Sequence, residues 1–279
     1  MSEAIVNRVG EVRAEKTVRD VSLRRTAVVA LAVCIGYYVT AKIGFAFALQ
    51  PGSVSTLWMP NSILLAALLL VPVRLWWLII LAACPAHFAA ELQSEVPTAM
   101  VLGWFVSNSV QALIGAGCIY ALVKGPLRFD NFRDLSIFLL VGAFLAPFLS
   151  SFLDIALIKL NGWGHSSYWD SWRIRFLSNV LATLTLVPVI ISWAAGGVRL
   201  ALRAPTKRFV EAGLLAAGLF GVGSIVFNSP HGVAGLTASL LYWPMPFLIW
   251  AAVRFGPMGT STCLLLVMFL AISGARHGF

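Results

Sequence analysis

Charged side chains are scarce in this sequence of 279 residues: 11% of the residues are charged, whereas 59% are hydrophobic. A soluble domain carries about 25% charged residues, so this chain has less than half of the usual share. The shortage excludes a soluble enzyme, a disordered chain and a nucleic-acid-binding protein, although the formal net charge is +9. It indicates a polytopic helical membrane protein.

Reactive and metal-binding motifs are lacking as well. The four cysteines lie in apolar runs and form no C-x-x-C pair, so we expect neither a disulfide nor a zinc site. The sequence has no H-E-x-x-H, G-x-S-x-G or Gly-rich phosphate-binding motif. Cys84 lies three residues before His87, but apolar surroundings disfavour a reactive thiolate, so an intramembrane cysteine enzyme is a weak alternative. We expect no cofactor, metal or catalytic residue.

Long apolar runs make up most of the chain. A membrane-spanning helix needs about 20 residues, so the second and eighth runs are short, and both contain proline, which allows a kinked or re-entrant path. We predict an all-α, polytopic transmembrane helical bundle with about nine membrane segments, of which eight to nine span. The segments cover residues 27–49, 57–71, 75–92, 99–123, 135–158, 174–194, 210–227, 238–253 and 257–274.

The basic residues orient this predicted bundle. With a cytoplasmic N-terminus, fifteen of the twenty Lys and Arg residues fall on the cytoplasmic side, in agreement with the positive-inside rule. Residues 1–26 then form a cytoplasmic tail, and residues 27–279 form a multi-pass domain of the inner membrane. Nine spans leave the C-terminus outside, so a cytoplasmic domain further on needs one more span. The basic residues placed outside are Lys42, Lys159, Arg173, Arg175 and Arg276.

Proline and glycine predict local distortions of the spans. Pro147 and Pro188 are expected to kink their helices, because proline removes one backbone hydrogen bond. The stretch from Arg254 to Pro257 is expected to form a sharp turn between the eighth and ninth segments.

A few polar side chains interrupt the apolar segments, and most of them fall in the half that faces outside. A charged side chain in hydrocarbon costs about 2.5–3.5 kcal/mol on insertion scales, so it usually faces a bundle interior or a cavity. We predict a polar cavity lined by aromatic side chains and open toward the outer face or outer leaflet. The candidate ligand-binding residues are Trp58, Asn61, His87, Glu91, Asn108, Gln111, Asp154, Asn179 and Trp243.

Structural explanations of these residues stay open. Each tryptophan could belong to an interfacial belt. The amide groups of Asn108, Gln111 and Asn179 could form hydrogen bonds between helices. His87, Glu91 and Asp154 could form a structural cluster, a ligand or proton site, or a metal site. An H-x-x-x-E pattern alone provides too few ligands to favour a metal.

Several motifs resemble one family of bacterial membrane proteins. Leu248–Pro257 reads L-I-W-A-A-V-R-F-G-P and is similar to the L-x-W-A-A-x-R-F-G-P-x-G signature of the first type of bacterial membrane-associated sensor (MASE) domain. Leu57–Ile63 resembles that family's W-x-P-x-G-(I/L) opening, with Ser62 in place of the glycine. Ser107–Ala112 resembles its Asn-centred stretch, and Phe176–Asn179 resembles the start of its proline-containing helix.

The resemblance covers about residues 40–279 and implies an input module that is fused to a cytoplasmic output, such as a histidine kinase or a cyclic-di-GMP enzyme. A further helix commonly follows the closing motif in that family. Such a helix would make the number of spans even and would place the following domain in the cytoplasm. The module itself is then not an enzyme, and the resemblance supplies no binding residues. The implied partners are membrane lipids, an unknown small ligand, the cytoplasmic output domain or partner protein, and a second copy in a homodimer.

Two classes of function therefore remain. The favoured one is a sensory module that detects a periplasmic or membrane-borne small ligand and relays the signal to an output domain in the cytoplasm. The alternative is a small-solute transporter or permease, or a transporter-associated membrane component, in which Glu91, Asp154 and His87 couple protons. Transport is less favoured, because the sequence shows no internal repeat with paired broken helices.

Overall fold

The computed structural model describes residues 24, 26–47, 55–94, 96–163, 167–228 and 240–276. Helices account for nearly all of them, and no β-strand occurs in these ranges. The predicted all-α, polytopic class is confirmed. Most of the predicted tail lies outside the described residues, so its boundary at residue 26 stays a prediction.

The described residues form eight apolar helices, and seven of these are long enough to cross a membrane. The number of segments is roughly the nine that the sequence predicts. In chain order the helices are α1 (Thr26–Ala46), α2 (Pro60–Leu70), α3 (Val73–Leu92), α4 (Thr98–Leu122), α5 (Phe132–Leu160), α6 (Tyr168–Leu202), α7 (Thr206–Asn228) and α8 (Met245–Arg276).

The short second segment is a non-helical stretch followed by a helix. The 11 residues of α2 rise about 16 Å, which is roughly half of the hydrocarbon thickness. Residues 55–59 precede α2, and the end of α1 holds them: Ser55 Oγ donates to the carbonyl oxygen of Gly44 at 2.7 Å. A Cβ at Gly44 would lie only 3.0 Å from the carbonyl oxygen of Leu57, so glycine permits this close approach. Buried irregular backbone of this kind is tolerated in a membrane where protein surrounds it.

The last element, α8, consists of two antiparallel arms that meet at Gly256, whose φ of 61° and ψ of −155° are not helical. We call them α8a (residues 245–255) and α8b (residues 257–276). The contacts with α7 run in opposite order along α8a and in the same order along α8b, so the chain reverses there. The predicted turn is confirmed. The neighbouring pairs are Arg254–Glu211 and Phe247–Gly218 in α8a, and Cys263–Leu215, Leu270–Gly223 and Gly274–Phe227 in α8b.

Irregular turns interrupt two of the long helices. In α5 a π-helical stretch, Phe138–Leu145, comes immediately before Pro147, as expected where proline removes a hydrogen bond and clashes with the preceding turn. In α6 the chain stays α-helical through Pro188 as far as Ser192, and the break falls at Gly196, whose φ is 130°. The interruption of α6 therefore lies eight residues beyond the predicted position.

One end of the bundle gathers the ends of α1, α3 and α5 and the starts of α4 and α6; we call it the site end. Tyr38 Oη of α1 donates to Gln93 Oε1 beyond α3 at 2.8 Å, and Tyr168 Oη of α6 donates to the carbonyl oxygen of Phe152 in α5 at 3.1 Å. The opposite half is packed by a large apolar cluster. Its most buried members include Leu68, Ile79, Ile119, Phe138 and Ile191.

Gly256→Ala is expected to lower the thermal unfolding midpoint of the detergent-solubilised chain. A side chain at this backbone conformation is strained by about 1–3 kcal/mol. Gly213→Ala in α7 is the control, because Gly213 is helical and no atom lies within 4 Å of an added Cβ. Equal effects of the two substitutions would contradict the reversal at Gly256.

Labelling from the two sides of the membrane tests the predicted orientation. In a chain whose native cysteines are replaced by alanine, Asp170→Cys at the site end should react with an impermeant maleimide in intact spheroplasts. Arg128→Cys at the opposite end should react only after the membrane is opened. Both native side chains are exposed, at 63% and 67%. The reverse pattern would place the N-terminus outside.

Candidate functional site

Arg175 lies at the centre of the site end, and its position corrects the assignment of this arginine to the outer connectors. Its side chain is 4% exposed, near the start of α6. Asn179 and Thr183 follow at intervals of four residues and are also buried, whereas Arg173 on another face is 69% exposed. This spacing of polar residues was the signal that could have placed Arg175 inside the bundle.

Three side chains from different elements surround the guanidinium group. Arg175 Nε lies 3.4 Å from Asp154 Oδ2 of α5. The guanidinium carbon lies 5.4 Å from a ring centre of Trp58 and 5.1 Å from one of Trp104 in α4. A desolvated cation–π contact contributes about 2 kcal/mol or more. One carboxylate and two indole rings therefore replace the hydration that this cation loses.

A second carboxylate lies close to the ion pair. Glu91 is 0% exposed and interacts electrostatically with both Arg175 and Asp154. Neither of its carboxylate oxygens has a hydrogen-bond partner among the residues that the structure describes. Glu91 occupies the last turn of α3, where the helix dipole adds partial negative charge. With both acids ionised, two carboxylates face one guanidinium, and the cluster has a formal charge of −1.

His87 belongs to a hydrogen-bonded chain beside this cluster. His87 Nε2 lies 2.8 Å from the carbonyl oxygen of Val101, which can only accept, so Nε2 carries the proton and donates it. Tyr37 Oη, at 3.0 Å, then donates to His87 Nδ1, and Asn108 Nδ2 donates to Tyr37 Oη at 3.0 Å. Both ring nitrogens are thus used, which favours the structural explanation of His87. The sequence analysis missed Tyr37, because a tyrosine in an apolar run carries no distinctive signal.

A second polar group joins four helices closer to the middle of the bundle. Asn61 Nδ2 of α2 donates to Gln111 Oε1 of α4 at 2.8 Å, and Ser150 Oγ of α5 donates to the same oxygen at 2.7 Å. Nearby, the hydroxyl groups of Ser62 and Thr183 lie 3.4 Å apart. Such contacts between helices contribute about 0.6 kcal/mol each on average, so Asn61 and Gln111 have a sufficient structural role.

The structure thus brings most of the candidate residues into one half of the bundle. Trp58, Glu91 and Asp154 lie around Arg175, with Asn179 one helical turn away. Within the described ranges, neither amide atom of Asn179 has a hydrogen-bond partner. Trp243 lies apart from them: it is 51% exposed in the turn before α8a, and no described contact connects it to the other candidates.

The predicted cavity open to the outer face stays a prediction. Three cavities lined by described residues lie elsewhere, toward the other end of the bundle. The largest, about 740 Å³, is apolar and lies between α5, α6 and α8, next to Pro188 and Pro257. Within the ranges that the structure describes, no group of three or more His, Cys, Asp and Glu side chains could hold a metal ion.

The stretch Leu248–Pro257 ties α8 to α7. Trp250 Nε1 donates to Glu211 Oε1 at 3.1 Å, and Arg254 donates to both carboxylate oxygens of Glu211. Arg208 Nη2 also donates to the carbonyl oxygen of Arg254 at 3.0 Å. These contacts lie directly before the reversal at Gly256, so the signature residues hold α8a against α7.

A polytopic helical membrane bundle with a buried, charged site is therefore the class that the fold defines. The chain belongs to the MASE1 family, whose profile matches residues 29–279, and the resemblance of the motifs is confirmed. MASE1 is a family of membrane sensory domains that occur in signalling proteins, and the domain is not itself catalytic. No curated protein and no solved structure matches the chain.

Arg175→Met is expected to destabilise the bundle strongly, because Asp154 loses its counter-charge; breaking a buried pair costs about 3–5 kcal/mol. Asp154→Leu alone should destabilise for the same reason, since it leaves the guanidinium without its carboxylate. The double variant should recover much of the loss, because an apolar pair replaces two charges. Thermal unfolding of the four proteins gives the coupling free energy, and strictly additive losses would show that the two residues act independently.

Proposed function

We propose that this chain is the sensory input module of a bacterial signalling protein in the inner membrane, and that it detects a small periplasmic or membrane-borne ligand at the Arg175 cluster. Membership of a family of membrane sensory domains supports the general role. Ionisable groups within a membrane are costly and usually functional, and the cluster of Arg175, Asp154 and Glu91 is the most buried group of charges among the described residues.

The observation that carries the proposal is the unused hydrogen-bonding capacity of this cluster. Several polar atoms are buried without a hydrogen-bond partner in the described part of the chain: both oxygens of Glu91, both amide atoms of Asn179 and the indole nitrogens of Trp58 and Trp104. Buried polar groups in folded proteins are nearly all hydrogen-bonded. A purely structural cluster would resemble the neighbouring chain of Tyr37, His87 and Asn108, in which the donors and acceptors match. A ligand with complementary groups accounts for the difference.

The packing offers a short route from this cluster to the last helices. Trp58 stacks on Arg175, and its chain neighbours Leu57 and Met59 pack in one apolar cluster with Met268 of α8b. The α6 helix meets the same residue, since Thr185 Oγ1 lies 3.1 Å from Met268 Sδ. A ligand that binds one arrangement of α6 and residues 55–59 more tightly would shift α8b with them. The output, a histidine kinase or a cyclic-di-GMP enzyme in this proposal, then responds to α8.

Substitutions in the native signalling protein test the proposal. Asn179→Ala and Arg175→Lys should change its output, the phosphorylated response regulator or the cyclic-di-GMP level, by about fivefold or more, as typical coupling energies imply. Asn161→Ala is the matched control, because that amide is exposed at the same end of the bundle. Membrane protein levels are compared by immunoblotting. Unchanged output would reject this site, and solute uptake by proteoliposomes of the purified chain would favour the transporter alternative.

A further inference from the structure

We infer that the ligand is a small organic amine whose ammonium group binds the carboxylate of Glu91; this inference rests on the proposed function of the Arg175 cluster. The charge balance is the first argument. Asp154 has an ion-pair partner in Arg175 at 3.4 Å, whereas the carboxylate of Glu91 makes no ion pair or hydrogen bond with a described residue. An isolated buried carboxylate costs several kcal/mol, so the site requires one further positive charge.

A proton would remove the charge of Glu91 but would not satisfy its hydrogen bonds. A protonated carboxyl group has an O–H donor that needs an acceptor, and neither oxygen of Glu91 has a partner of any kind within the described residues. An ammonium group supplies the missing charge and donates hydrogen bonds to both oxygens at once. A bound cation therefore fits the geometry better than a proton.

A metal ion fits less well than an organic cation. Stable metal sites use about four or more ligands, and the described part of the chain offers no group of three suitable side chains. Aromatic rings belong to the same cluster instead: Trp58 contacts the guanidinium of Arg175 and packs with Ala90, the residue before Glu91. Aromatic rings beside a carboxylate are a typical environment for an organic ammonium group.

The two indole N–H groups add a second requirement. Trp58 and Trp104 are 3% and 5% exposed, and no described residue accepts a hydrogen bond from their indole nitrogens. Both rings also contact the guanidinium of Arg175, so they lie in the same cluster as Glu91. An oxygen atom on the ligand would accept from them. The class is therefore an amine that carries a hydroxyl or ether oxygen a few bonds from its nitrogen, either free or in a lipid headgroup.

Ethanolamine and two compounds of matched size test this inference on the purified full chain in lipid-free detergent. Ethanolamine is a cation at pH 7, ethylene glycol is neutral and glycolate is an anion. Ethanolamine should raise the thermal unfolding midpoint in a saturable manner, as a ligand of the folded state does, and the other two should not. This comparison uses the wild-type protein only, and an absent or equally large shift with all three compounds would overturn the inference.

Glu91→Gln keeps the shape of the side chain and removes its charge. It should abolish the ethanolamine shift while raising the midpoint without ligand, since an unpaired buried charge disappears. Asp170→Asn, which removes an exposed carboxylate from the site end, should leave the shift unchanged. A shift that persists in Glu91→Gln, or that disappears in Asp170→Asn, would contradict binding at Glu91.

Nanodiscs distinguish the two sources of the ammonium group. If the ligand is a lipid headgroup, phosphatidylethanolamine added to phosphatidylglycerol discs should stabilise the wild-type protein but not Glu91→Gln. If the ligand is a free amine, only soluble ethanolamine should stabilise the wild-type protein.

The inference and the proposed function can fail separately. If binding requires Glu91 but the site variants do not change the cellular output, the proposed function alone is refuted. Altered output with no amine bound would refute the amine alone.

Discussion

A guanidinium group inside an apolar bundle needs a replacement for its lost hydration, and this need organises the site end. Arg175 lies between the rings of Trp58 and Trp104 and beside Asp154. These partners come from the non-helical stretch of residues 55–59, from α4 and from α5, so satisfying one cation draws three elements toward α6. The remaining polar contacts follow from this convergence, because helices that meet at Arg175 also bring their amides and hydroxyls together.

The two halves of the bundle differ in what holds them together. At the site end, buried polar contacts lie beside a smaller apolar cluster of α4 and α5, whereas the opposite half is packed by a broad apolar cluster. If apolar packing fixes one end of a bundle, the other end can rearrange at a moderate cost in free energy. The reason is that one polar partner can be exchanged for another. The reversal at Gly256 extends this division: α8a is fixed to α7 by Trp250 and Arg254, while α8b packs against residues 57–59 near the charged cluster.

The apolar segments could be predicted well from the sequence, since hydrocarbon length and the rule of satisfied backbone hydrogen bonds leave few choices. The sequence also predicts that the second segment is short. It does not predict the non-helical stretch of residues 55–59 that precedes α2. The polar residues that the sequence places in one half of the spans do come together in one half of the bundle, and their role as a site stays a prediction. Arg175 was missed because an arginine near the end of an apolar run is normally at the interface, and only the partners across the bundle show that it is buried.

Composition, segment length and the signature motifs thus determined by themselves the membrane class, the approximate number of segments and the family. These properties depend on local hydrophobicity and on residue types at fixed spacing. Both can be determined from one continuous segment of the sequence. The tertiary structure alone decided which polar groups pair and which stay without partners. His87 and Glu91 lie four residues apart on one helix, yet His87 uses both ring nitrogens and Glu91 uses neither oxygen. The difference arises because their possible partners lie on other helices, at distances that no spacing along the sequence specifies.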